Sequence, residues 1–176
     1  MAASPARTTP KRSSLKRRDF FESITDAVRA GLRGDLQAFH ARHTMNLLKI
    51  HFGENYRIHY EAWINTDTGF VEVGLHFEDG PESTSRLLEF FDSHVVEIKH
   101  ELGTHIELER WTKTWGHIYE IHPIQPLTPA FVREIAGRMT HMIEVLQPLL
   151  DDAYNAGLAP LTPRPSTFRR RFRPRK

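Results

Sequence analysis

The chain of 176 residues contains no cysteine. That excludes disulfides, thiolate zinc sites, iron–sulfur clusters and cysteine nucleophiles, and it fits a cytoplasmic protein. No run of about 18 apolar residues occurs, so no transmembrane helix is expected and no membrane partner is assigned. Nor does an apolar signal-peptide core follow Met1. Glycine-rich phosphate loops, G-x-S-x-G, GxGxxG and the kinase signatures are missing too. The common nucleotide-binding and serine-hydrolase architectures therefore have no support, and no organic cofactor is expected.

Acidic residues are missing from both ends. Residues 1–18 carry Arg7, Lys11, Arg12, Lys16, Arg17 and Arg18 with no acid. Residues 158–176 carry Arg164, Arg169, Arg170, Arg171, Arg173, Arg175 and Lys176, again with none. These ends hold 13 of the 24 basic residues, leaving 11 against all 22 acids between them. The sequence pI of 9.0 therefore belongs to the ends, and the middle is acidic.

What remains is patterned as one globular domain. Residues 1–18 read as a disordered basic arm, 19–157 as a single α+β domain, and 158–176 as a disordered Arg/Pro-rich tail. Asp19 and Glu22 suggest a capping box for a helix through Phe20 or Phe21, Ile24, Val28 and Leu32. Leu36, Phe39, His43, Leu47 and Ile50 continue at helical spacing, so a second helix capped by Asp35, or an extension of the first, is expected before Gly53. Next comes the strongest pattern. Ile58, Tyr60, Ala62 and Ile64 alternate on one strand, and Val71, Val73, Leu75 and Phe77 on the next. The turn residues 65–69 join them into a β-hairpin. Pairing the two apolar sets sets Ala62 opposite Val71 or Val73; a one-residue slip would mix the faces.

A helix capped by Ser83 or Thr84 is expected through Leu87, Phe91, Ile98 and Leu102, with Gly103 ending it. A second alternating pair spans His105 to Trp111 and Trp115 to His122, turning through 112–114. Thr128-Pro129 opens the last helix, in which Phe131, Ile135, Met139, Met142, Leu146 and Leu149 form the buried stripe and Pro148 bends or ends it. The expected fold is a two-layer, mainly antiparallel four-stranded sheet built from two ββα units, preceded by one or two N-terminal helices.

The polar face of the first hairpin collects imidazoles and carboxylates: His59, Glu61, Glu72 and His76, with Trp63 and Glu78 beside them. If Ile106 and Leu108 point inward, the second hairpin adds Glu107, Glu109 and Trp111, and its partner strand brings Ile118, Glu120 and His122 to the same side. In one register Glu61 faces Glu72, and like charges opposite each other are destabilising unless a cation or a shared proton intervenes. His and carboxylate are ligands of zinc and other divalent metals, so His59, Glu61, Glu72 and His76 are candidate metal or acid–base residues. The plainer alternative is a solvated face of an antiparallel sheet, because no H-E-x-x-H-like spacing is present. Gly74 in mid-strand marks a bulge or the close approach of another backbone or a ligand. Trp63, Trp111 and Trp115 suggest a binding or subunit surface, or one covered by the N-terminal helices.

The ends supply the other functional reading. Lys16, Arg17, Arg18, Arg169, Arg170, Arg171, Arg173, Arg175 and Lys176, with Phe168 and Phe172 interleaved, suit phosphate contacts and base stacking. A non-enzymatic domain binding nucleic acid or another polyanion through its arms is the leading expectation. Its alternatives are a metal-dependent or carboxylate-based enzyme, and a homodimeric interaction protein. The arms could also fold back on the acidic core.

The run Gly74-Leu75-His76-Phe77-Glu78, preceded by His59-Tyr60-Glu61 and followed by Glu109-Arg110-Trp111 and Trp115, resembles a family of uncharacterised bacterial proteins over residues 47–150. That resemblance implies no activity, cofactor or catalytic residue.

Overall fold

The structure is a computed structural model that describes residues 14–164. Helix α1 (Arg17–Gly31) opens the fold, followed by a 3-10 turn (Gly34–Gln37). Four strands come next: β1 (His40–His43), β2 (Leu47–His51), β3 (Ile58–Asn65) and β4 (Phe70–Phe77). Helices α2 (Pro81–Ser93) and α3 (Val95–Leu102) lead to β5 (Glu107–Glu109) and β6 (Gly116–Pro123), and α4 (Pro129–Asn155) closes the domain. The strands form one antiparallel sheet in the order β1-β2-β3-β4-β6-β5. The α+β class and the antiparallel sheet agree with expectation. The sheet has six strands rather than four, however, and the chain does not repeat a ββα unit. Its first four strands make one continuous meander.

The two extra strands occupy the stretch expected as a helix. Leu36, Phe39, His43, Leu47 and Ile50 do recur at helical spacing, but Leu48 and Ile50 alternate with the half-exposed Leu47, Lys49 and His51. Pairing with β3 sets Leu48 beside Ala62 and Ile50 beside Tyr60, and both apolar side chains are completely buried there. Extending the greasy sheet face outweighed a weak helical preference that Gly31 and Gly34 had already interrupted. Strand β1 is mostly exposed and pairs only with β2, so it forms one edge.

The β3–β4 register follows the second of the two expected alternatives, with Ala62 opposite Val73. Glu61 therefore faces Gly74 and not Glu72, and the expected like-charge pair does not form. Gly74 is not a bulge. A Cβ there would lie 2.7 Å from the Ile118 carbonyl oxygen and 2.9 Å from Tyr119 Cβ. The close approach of the β6 backbone is what demands glycine.

The buried apolar strand residues face one side, where α4 lies across β3 and β4. Thr128 caps α4, accepting the Phe131 amide at 3.3 Å, and Pro129 occupies the first turn. Pro148 sits within the helix, which continues to Asn155. Helix α1 packs on α4, with Phe20 stacked on Phe131 at 5.6 Å between ring centres. It begins at Arg17 and has no side-chain cap, so Asp19 sits in the first turn, where it favours the helix dipole. The expected single helix after the hairpin is interrupted at His94 and becomes α2 and α3.

Residues beyond α4 also belong to the fold. Ala159 is buried, Asn55 donates to the Pro160 carbonyl at 2.8 Å, and the Arg164 amide donates to Asp79 at 3.1 Å. The Arg164 guanidinium reaches Glu82 at 3.1 Å. Among the described residues, no helix is long and apolar enough to cross a membrane.

Candidate metal centre

The sheet face opposite the helices carries His59, Glu61 and Trp63 from β3, and Glu72, Gly74 and His76 from β4, with Glu78 just past its end. Register alone puts Lys49 of β2 beside Glu61, and His117 of β6 beside His76. Alternation then adds Tyr119 and Ile121 to this outer face. Ile118, Glu120 and His122 therefore point to the helix side, the reverse of the expected placement. The connection between β5 and β6 runs through residues 110–115, and Leu108 pairs with Ile118. A turn through 112–114 gives that same register, so what hid His117 was setting Ile118 on the face opposite its partner Leu108, although directly paired residues share a face.

A wet sheet face would leave these groups in solvent, yet His59 and His76 are each 1% exposed, His117 2% and Glu61 5%. Among the described residues no helix covers them, because α1 lies on α4. Their own aromatic neighbours do the covering. Trp111 stacks on His117 at 5.5 Å and meets His76 edge-on at 6.1 Å. Trp63 and Trp115 flank Trp111 at 6.1 and 5.9 Å, and Tyr119 stacks on the other side of His117 at 4.1 Å. Thr112 fixes the loop that carries the two tryptophans, its hydroxyl accepting the Thr114 and Trp115 amides at 3.2 and 3.0 Å. The tryptophans thus form a surface layer over the imidazoles rather than a seat for the N-terminal helix.

Beneath that layer the polar groups divide into two sets that share His76. Ligand atoms of His59, Glu61, His76 and Glu78 all lie within 4.8 Å of one another, and so do those of Glu72, His76 and His117. The four residues expected as metal ligands are on one face, but Glu72 belongs to the second set and Glu78 completes the first.

In the second set both His117 nitrogens have a carboxylate within hydrogen-bond distance, and a neutral ring donates to one of them. His117 lies 3.1 Å from Glu72 through Nδ1 and 3.2 Å from Glu109 through Nε2. Burial pushes the Glu72 carboxyl up, but His117 and His76 outweigh it and hold it at about 2.

The first set is not closed. The Tyr56 carbonyl lies 3.0 Å from His59 Nδ1, which must donate the hydrogen bond. A neutral ring has only one N–H, so its Nε2 turns a lone pair toward Glu61 Oε2 at 3.2 Å and Glu78 Oε1 at 3.9 Å. A second proton would reconcile them, but burial pushes the His59 pKa down and Lys49 adds to that, against the raising effect of Glu61. Burial raises the Glu61 carboxyl, while His59, His76 and Lys49 together bring it below its ordinary value. His76 is stranger still. Both of its ring nitrogens are buried without a hydrogen-bond partner among the described residues, although Nε2 comes within 3.2 Å of a Glu72 oxygen. That approach lacks hydrogen-bond alignment. Imidazole lone pairs converging on carboxylate oxygens in a buried space form the donor set of a divalent cation. Lys49 supplies part of the missing charge, its ammonium 3.4 Å from Glu61 and 3.3 Å from Glu78.

The expected polyanion-binding residues fare differently. Arg169, Arg170, Arg171, Arg173, Arg175 and Lys176 lie outside the described residues. Arg17 hydrogen-bonds Asn46 and Arg18 pairs with Glu22 at 2.9 Å, so both engage their own fold, and Lys16 immediately precedes α1. Arg164 also turns inward, to Asp79 and Glu82. No family model matches the chain, and comparison with curated proteins finds no similar sequence.

Proposed function

We propose that this protein binds a divalent transition metal through His59, Glu61, His76 and Glu78, with zinc as the reference ion. The observation that carries the reading is His76, a buried imidazole with neither nitrogen hydrogen-bonded, set against a second imidazole whose free lone pair faces two carboxylates. Burying such polar groups unpaired costs about 1–3 kcal/mol each, and coordination removes that cost. The Tyr56 carbonyl serves as the outer partner that fixes the His59 tautomer, a usual support for a ligating histidine. Two neutral imidazoles and two carboxylates offset a dication without excess charge. Lys49 then leaves the carboxylates as the metal takes its place.

The full-length protein, stripped with chelator and reloaded with Zn²⁺, Mn²⁺ or Co²⁺, is expected to retain one metal per chain by elemental analysis. His76→Ala should lose it while circular dichroism keeps the wild-type signature. A wild-type chain that retains no metal and shows no thermal shift with any of the three ions defeats the reading.

A further inference from the structure

Beside the metal centre the outer face changes sign. Alternation across β1 and β2 puts His40, Arg42, Lys49 and His51 on the same side, with His40 opposite His51 and Arg42 opposite Lys49. Two cations directly opposed on neighbouring strands destabilise a sheet unless something negative lies between or above them. Lys49 is shared with Glu61 and Glu78, whereas Arg42 is exposed and has no ion-pair partner among the described residues. Arg42, Lys49, His51 and Tyr56 line a pocket of about 240 Å³. His51 stacks on His40 at 5.0 Å and meets the Tyr56 ring edge-on at 6.5 Å, which holds its ring at the pocket wall. Among the described residues, no carboxylate lines the space. Tyr56 also supplies the carbonyl that orients His59, so one residue belongs to both the pocket and the metal centre.

We infer that this pocket holds the oxyanion of a small phosphoryl or phosphonyl ligand, with Arg42, Lys49 and His51 as its donors, next to the metal. The inference rests on the metal reading, because the pocket's cation count changes with the metal. Without metal, Lys49 is spent on Glu61 and Glu78. When a dication takes those carboxylates, the ammonium is released toward Arg42 and His51, and the opposed cations then need an anion. A tetrahedral dianion meets the guanidinium fork and the ammonium together, whereas a monoanionic carboxylate leaves one of them unmatched. Metal and anion are therefore expected to bind with positive coupling.

Isothermal titration of methylphosphonate and of acetate into the full chain, metal-free and zinc-loaded, at a pH above the second ionisation of the phosphonate so that the probe is a dianion, tests this. Methylphosphonate is expected to bind the loaded protein about tenfold more tightly than the metal-free one, and more tightly than acetate does. Arg42→Ala should weaken methylphosphonate by a similar factor without changing zinc content, and Arg42→Lys should restore part of the loss. Residues 1–13 and 165–176 are the same in all three proteins, so the difference reports on Arg42. Zinc loading with no methylphosphonate binding overturns the inference and leaves the metal reading intact. So does binding indifferent to Arg42→Ala or to zinc. Tighter binding of acetate overturns the phosphoryl assignment. Failure of the chain to load zinc at all removes the metal reading and this inference with it.

Discussion

Two clusters of histidine and carboxylate sit on opposite faces of the same sheet, built from nearly the same residue types. On the helix side, the Glu120 carboxylate is completely buried and meets the Arg138 guanidinium, with Nε donating at 2.7 Å. His122 and His105 complete its shell at 2.9 and 2.8 Å. On the outer face, His59, Glu61, His76 and Glu78 converge with no guanidinium among the described residues joining them, and one imidazole has no hydrogen-bond partner there. Residue type does not separate a structural ion pair from a site. The separating feature is whether the chain provides the counter-charge itself. Where α4 brings an arginine to the carboxylate, the cluster is finished. Where only a lysine on the edge side of the cluster is at hand, a place for a cation remains.

Removing the internal counter-charge should break the contrast most sharply. Arg138→Ala leaves the buried Glu120 carboxylate with only His105 and His122 beside it, a loss of at most about 3 kcal/mol, measured by urea unfolding, with zinc content unchanged. Acid should reach the same contact. Burial alone would raise the Glu120 carboxyl, but Arg138, His122 and His105 bring it from 4.5 to about 2. A depressed carboxyl contributes stability that is complete above about pH 4.5 and is lost as pH falls toward 2. Unfolding free energy should therefore slope downward across that window, and the slope should be shallower in Glu120→Gln. An equally steep slope in that variant would show that other carboxylates dominate.

The outer cluster sharpens the contrast on a smaller scale. Glu78→Gln removes a proposed ligand and should weaken zinc more than about a hundredfold. Glu72→Gln touches only the neighbour of His76 and should weaken it by about tenfold to a hundredfold. Competition with a chromogenic chelator measures both. The opposite ranking would move the metal into the Glu72, His76 and His117 set.

The hairpin at the centre of the sheet was legible because its two apolar sets admit few registers, and that placed His59, Glu61 and His76 on one face. Leu48 and Ile50 were not legible as a strand. Two alternating residues carry little signal beside a longer run at helical spacing, and β1 buries almost nothing. His117 was missed for another reason. A turn through 112–114 already sets Leu108 opposite Ile118 and Glu109 opposite His117, so the outward direction of His117 was readable and was lost by placing Ile118 on the face opposite its partner Leu108. The burial of the polar face was not readable, since it depends on Trp111 folding back over His117. Gly74 was readable as a place of close approach, though what approaches is the β6 backbone.

The inward turn of the C-terminal segment has a kinetic consequence. Asn55 to Pro160 and Asp79 to Arg164 join residues 105 and 85 positions apart. Closing loops of that length is entropically costly until the intervening sheet exists. These contacts should therefore form after the meander and α4 have assembled, and their loss should mostly speed unfolding while leaving the folding rate nearly unchanged. The end of the described chain then acts as a late latch, setting how long the native state lasts more than how quickly it is reached.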